Sequence, residues 1–268
     1  MTDPTTRRES LTEYLASSQA RYGWDTKTWN TTAWRAPLQP PLLALDTKTT
    51  GLDTATDRVV TMSLVVVEVP GQNRSVWVTR WDLNPGIPIS PAATALHGIT
   101  DEMASRGQAP VDALGELLDL LALPAVAGMP LAVFNAPFDL GLLRAEESRH
   151  LGTSRLLGAI SPPIIDPMVI DKHVDRYRQG KRTLAAVAAL HSVPSTAEDH
   201  DSTSDALKAG MVAWSQLQGY TELSLPAPHL HQAQIGWARL QREALAEYRD
   251  SQGRHEEAQD IRGRSWPV

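Results

Sequence analysis

The chain has 268 residues, 42% of them hydrophobic and 21% charged, with no cysteine and a formal net charge of -6. That composition excludes disulfides, thiolate metal sites and a cysteine nucleophile, and leaves Asp, Glu and His as ligands, a set suited to Mg2+ or Mn2+ rather than structural zinc. The negative charge argues against indiscriminate nucleic-acid binding, while leaving room for a local basic groove.

No run approaches the roughly 18 apolar residues of a membrane helix, and residues 1–8 are polar where a secretory signal turns apolar. A cytoplasmic protein without membrane contact is expected. The length suits one domain of about 180 to 200 residues with terminal additions.

Taken in chain order, Leu11, Tyr14, Leu15 and Ser18 recur at spacings of three and four, which predicts a helix over 7–22. Trp24, Trp29 and Trp34 then lead into a proline cluster, read as an arm outside the core or as tryptophans that simply pack on it. The run Leu42-Leu43-Ala44-Leu45 ends in Asp46-Thr47-Lys48-Thr49-Thr50-Gly51-Leu52, a buried strand opening into a polar site. Residues 59–69 and 75–83, rich in valine and tryptophan, make the next two strands, with a turn at Pro70-Gly71-Gln72-Asn73 completing an antiparallel meander.

Helical patterns follow at 92–97, 101–105 and 111–123. A short strand at 131–134 leads into a helix over 138–149, and a second at 164–166 leads into helices over 168–177, 183–191 and 202–217. A long helix spans 227–250, and the polar tail from Ser251 is expected to fray. Three meander strands followed by alternating helices and short strands describe an α/β fold, a mixed sheet with helices on its faces.

Side chains alternate across a strand, so Asp46 and Lys48 point to the same side. Two further carboxylates lie where the chain enters helices. Asp139 follows Phe134-Asn135-Ala136-Pro137-Phe138, and Pro137 suits a first helical turn whose dipole tolerates an anion. His200 and Asp205 would face apart on one helix, and converge only if His200 precedes it, with Asp201 or Ser202 as the cap. The densest basic stretch, Lys172-His173 through Arg176 to Arg182, is either a nucleic-acid groove or a solvated helix end and turn.

Together these pieces resemble the DnaQ-like DEDDh exonucleases, the family that includes the proofreading subunit of bacterial DNA polymerase III and RNase T. The family pattern of Asp-x-Glu, Asn-x-x-Phe-Asp and His-x4-Asp matches Asp46 with Lys48, Asn135 with Phe138 and Asp139, and His200 with Asp205. His97-Gly98-Ile99-Thr100 and the Ile165-Asp166 to Leu184 region agree as well, so the likeness covers roughly residues 41–218.

The resemblance implies a ribonuclease H-like fold with a central mixed five-stranded sheet flanked by helices. An extra N-terminal helix and arm would occupy 1–40, the exonuclease domain 41–218, and a C-terminal helix and tail 219–268. It implies 3'-to-5' hydrolysis of phosphodiester bonds with two Mg2+ or Mn2+ ions held by Asp46, Asp139 and Asp205, and with His200 taking a proton from the attacking water. Thr49, Gly51, Leu52, His97, Asn135 and Phe138 would meet the terminal nucleotide. The implied partners are a nucleic acid with a free 3' end, DNA in preference to RNA, and a polymerase or repair protein acting in trans.

Lys48 departs from this pattern. It stands where the family has a metal-binding glutamate, and an ammonium has no lone pair for a metal. The exchange shifts the site by two charge units, and each unit-charge interaction at about 4 Å is worth on the order of 4 kcal/mol in an effective dielectric near 20. Impaired hydrolysis is expected, unless Asp53, Glu198 or Asp201 replaces the missing ligand. The alternative is a non-catalytic nucleic-acid-binding module of the same fold.

Overall fold

The computed structural model describes residues 4–25, 27–28, 41–68, 76–156, 163–194 and 200–268. Its centre is a five-stranded sheet of β1 (Leu42–Thr49), β2 (Val59–Val67), β3 (Val76–Asp82), β4 (Leu131–Ala132) and β5 (Ile164–Ile165), in the order β3-β2-β1-β4-β5. The first three strands pair antiparallel, and β4 joins β1 in parallel, as does β5 to β4. β1 is therefore the central strand. Its apolar start, Leu42 to Leu45, is buried on both faces, as expected of a strand with parallel and antiparallel neighbours.

The described helices are α1 (Pro4–Tyr22), α2 (Pro91–His97), α3 (Asp101–Ala104), α4 (Pro110–Leu121), α5 (Ala136–His150), α6 (Pro167–Val174), α7 (Leu184–Leu190), α8 (Ser202–Gly219), α9 (Ala227–Ser251) and α10 (His255–Gly263). α8 lies across β1 and β2, and Gly210 lets it come close: a Cβ there would fall 2.6 Å from a Val67 methyl. α4 turns Leu114, Leu117, Leu118 and Leu121 into the main core and packs against α5. None of the described helices is long and apolar enough to cross a membrane.

Leu11 and Leu15 of α1, together with Trp24, sit in the main core, so at position 24 the core-packing alternative holds and α1 joins the core. Trp77 Nε1 reaches Ser10 Oγ at 3.1 Å and Arg7 pairs with Glu116, fixing α1 against β3 and α4. Trp29, Trp34 and the turn at 70–73 lie outside the described residues.

The expected frayed tail after Ser251 instead forms α10, because Ala258 and Ile261 close a small apolar cluster with Ala246 of α9. Asp250 ties the two helices together through Arg262 and His255. Beyond α10, Trp266 is only 7% exposed and belongs to the main core.

Candidate active site

Asp46 and Lys48 leave the end of β1 on one side, as strand alternation requires, opposite Ser63 and Thr61 of β2. Asp205 arrives on the first turn of α8, whose N-cap is Asp201 accepting from Thr203 N and Ser204 N. His200 precedes that cap in a left-handed conformation, φ 78°, and is exposed. Arg80 on β3 pairs with Asp201, tying the start of α8 to the sheet edge.

Lys48 Nζ sits 2.6 Å from Asp205 Oδ2 and 2.9 Å from Asp46 Oδ2. The contact to Asp205 has hydrogen-bond geometry, whereas Asp46 Oδ2 is buried with no hydrogen-bond partner among the described residues. A second ammonium, that of Lys208, lies 3.7 Å from Asp205 Oδ1. Both oxygens of Asp205 therefore face a lysine.

Asp139, on the first turn of α5, turns toward β1: its Oδ1 accepts from Thr47 N at 2.9 Å and Thr47 Oγ1 at 2.7 Å. Burial pushes Asp139 up to about 6, against the two Thr47 bonds that favour the carboxylate. Burial likewise pushes Asp46 up to about 8, a rise that Lys48 opposes and that Asp139 and Asp205 reinforce.

Burial also works to lower Lys48, but Asp46 and Asp205 outweigh it and hold the ammonium above its ordinary value. These directions compete within one ion pair, since Lys48 gains from an ionised Asp46 while burial favours a neutral one. The shorter, well-aligned bond is the one to Asp205, so the Lys48 ammonium is held there, while burial raises Asp46.

The donor set does not fit a pair of divalent ions as it stands. Hard divalent ions need several oxygen ligands, and the Lys48 ammonium lies between two of the three carboxylates that would supply them. Among the described residues no three His, Asp or Glu side chains converge on a metal position. Nor does a substitute carboxylate enter: Asp53 receives Ala55 N in its own exposed loop, Asp201 caps α8, and Glu198 lies outside the described residues.

The predicted substrate-contact residues divide into exposed and structurally committed groups. Leu52 is 84% exposed beside the end of β1. Thr49 is buried and donates to Gly51 O at 2.5 Å. Gly51 is required by Asp57, whose Oδ2 would lie 2.5 Å from an added Cβ and which receives Thr50 Oγ1 and Asp53 N.

His97 accepts from Ile99 N at Nδ1, so its Nε2 carries the hydrogen donated to Thr49 O at 3.2 Å. Burial lowers its pKa, which keeps the ring neutral and suits that role. Asn135 is exposed in a left-handed turn with φ 64°, and Phe138 is half-buried on α5.

The Asn135 turn has an organiser that composition does not reveal. Asp166, fully buried, accepts from Asn135 N and Ala136 N at 3.0 Å each and from Met168 N at 2.9 Å. Lys208 and Thr47 escaped the sequence reading. Lys208 had a signal, because i and i+3 residues are neighbours on a helix; Thr47 had none beyond its place between Asp46 and Lys48.

Two arginines of the basic stretch point inward onto a buried carboxylate. Arg178 meets both oxygens of buried Asp171, at 2.9 and 2.7 Å, and Arg182 meets the same carboxylate at 2.6 Å.

A family model described as exonuclease, RNase_T, matches residues 43–212, most of the chain. The chain belongs to the RNase_T exonuclease family. It is 39% identical over 106 residues to a DNA polymerase III subunit epsilon-like protein of Rhodobacter capsulatus, a stretch covering 39% of this chain and 14% of that protein. It is 29% identical over 142 residues to a PolC-type DNA polymerase III of Streptococcus thermophilus, covering 52% of this chain and 8% of the relative. The matches thus span a small part of each relative's length.

Among solved structures, E. coli exonuclease I in complex with a 5cy-dA13 oligonucleotide aligns with a TM-score of 0.57 at 15% identity, over 75% of this chain and 44% of that one. Exonuclease I of Methylocaldum szegediense gives 0.55 at 17% identity, over 74% and 43%. These likenesses establish the mixed five-stranded, ribonuclease H-like fold, and the family match makes this a domain of the exonuclease family.

Proposed function

We propose that this chain receives the 3' end of a DNA strand at the Asp46–Asp139–Asp205 site, and that Lys48 strongly impairs its 3'-to-5' phosphodiester hydrolysis. The carrying observation is the Lys48 ammonium, hydrogen-bonded to Asp205 and within ion-pair distance of Asp46. His200, on the exposed turn before α8, is the residue to take a proton from water. Leu52, Asn135 and Phe138 are the side chains to meet the terminal nucleotide, while Thr49, Gly51 and His97 set the backbone beneath it.

Residues 41–218 would form the catalytic unit, flanked by the N-terminal helix and arm and by the C-terminal helices. The polymerase III likenesses support a replication or repair partner in trans. Mg2+ or Mn2+ is the metal that the family resemblance implies. Its ligand positions here would be Asp46, Asp139 and Asp205, and Lys48 opposes its binding.

The same ion pair favours one further reading, a nucleic-acid-binding module without hydrolysis. A 3'-labelled single-stranded oligonucleotide, with Mg2+ or Mn2+, separates the two when this chain is compared with Lys48→Glu. The impaired-nuclease reading expects the variant to cleave at least about tenfold faster, a change of about 1.4 kcal/mol in the barrier. Equal and robust cleavage by both proteins would defeat the assignment to Lys48; cleavage by neither, with retained binding, would favour the binding module.

A further inference from the structure

Lys48 is not the only cation facing the carboxylates. Lys208 follows Asp205 by three residues on α8, so both side chains lie along the same helical face. It is only 4% exposed, with its ammonium 3.7 Å from Asp205 Oδ1 while Lys48 takes Oδ2. Lysine ordinarily carries its charge out to water along a flexible stem. Here the charge stays inside, next to a carboxylate that already has a partner.

We infer that Lys208 is a second determinant excluding divalent cations from this site, so that restoring glutamate at position 48 alone leaves Asp205 partly blocked. The inference rests on the proposed reading of Lys48. Lys48→Glu would free Oδ2 of Asp205 and add a carboxylate. Oδ1 would still face the Lys208 ammonium, and a divalent ion bound to Asp205 would lie within a few ångströms of that charge. At such distances, in an effective dielectric near 20, one positive charge opposing a dication reduces affinity by at least about tenfold. Two lysines thus divide between them what looks like a single substitution.

The test is a direct Mn2+ titration followed by electron paramagnetic resonance, without nucleic acid, on the full chain and on Lys48→Glu, Lys48→Glu/Lys208→Met and Lys48→Glu/Lys208→Arg. Methionine keeps the stem and removes the charge, whereas arginine keeps the charge. The expected order is no specific binding by the unaltered chain, weak binding by Lys48→Glu, and at least about tenfold tighter binding by the methionine double variant. The arginine double variant should match Lys48→Glu. Adding Asp205→Asn to the methionine variant should remove the ion.

Equal affinity for Lys48→Glu and the methionine variant would overturn the role of Lys208, as would equal affinity for the methionine and arginine variants. Retention of the ion after Asp205→Asn would also overturn it, because the ion would then lie elsewhere. If the unaltered chain binds Mn2+ as tightly as Lys48→Glu, the reading of Lys48 fails instead, and the double variants still report on Lys208 separately. Melting curves identify any variant that has lost its fold, and Lys208→Gln then replaces methionine in the same comparison.

Discussion

Trp266 Nε1 donates to Asp166 Oδ2 at 3.1 Å, joining the end of the chain to the carboxylate that holds the Asn135 turn. The chain segment after α10 is therefore one bond away from the turn that aims Asp139. Asp166→Ala would leave several buried N–H groups without an acceptor, and a loss of about 3–5 kcal/mol is expected. Trp266→Phe keeps most of the apolar bulk and should cost about 1–2 kcal/mol. Denaturant unfolding checks both, and a Trp266→Phe midpoint equal to that of the unaltered protein would remove the link.

The sequence made the skeleton of the site legible because that skeleton depends on local periodicity. The apolar run ending at Asp46 could only be a buried strand opening to a polar end, and the spacing from His200 to Asp205 demanded a cap between them, which Asp201 supplies. Pairings across the fold were not legible in this way. That Lys48 would choose Asp205 over solvent depends on α8 crossing β1, and that Gly51 serves Asp57 depends on how a loop closes. The C-terminal helix was masked by its own composition: its two buried positions, Ala258 and Ile261, lie among charged residues, and Trp266 finds its partner a hundred residues away.

The raised carboxyl groups make stability depend on pH with a definite sign. Asp46 near 8 and Asp139 near 6 lie above their ordinary value of about 4, so the folded protein holds protons that the unfolded chain has released. Their stabilising contribution is complete below about pH 4 and is lost as pH rises through about 6 for Asp139 and about 8 for Asp46. Melting temperatures should therefore fall between about pH 6 and 9 by more in the unaltered protein than in Asp46→Asn, which cannot ionise. Parallel curves for the two proteins would place the extra proton elsewhere.

Gly210 sets the distance between α8 and the sheet, and hence the position of Asp205. An added Cβ would meet Val67 at 2.6 Å and Ala44 at 3.1 Å, both on strands with little freedom to move. Overpacking of this kind costs about 1–3 kcal/mol, against a gain of about 1 kcal/mol in helix propensity from glycine to alanine. Gly210→Ala should unfold at lower denaturant with an unchanged slope. A stabilised variant would mean that α8 tolerates displacement from β1.

The basic turn after α6 is expected to support the fold and to contribute nothing to nucleic-acid affinity. Arg178 and Arg182 converge on Asp171, which is 1% exposed, so removing Asp171 would leave two half-buried guanidinium groups without their shared counter-charge. Asp171→Ala should lose about 3–5 kcal/mol of stability. Arg178→Ala should also destabilise, yet leave the dependence of oligonucleotide affinity on salt unchanged, because its charge is already satisfied within the protein. A phosphate contact behaves differently: its removal lowers the slope of log affinity against log salt by about one. A reduced slope for Arg178→Ala with an unchanged melting temperature would therefore return this turn to the nucleic-acid surface.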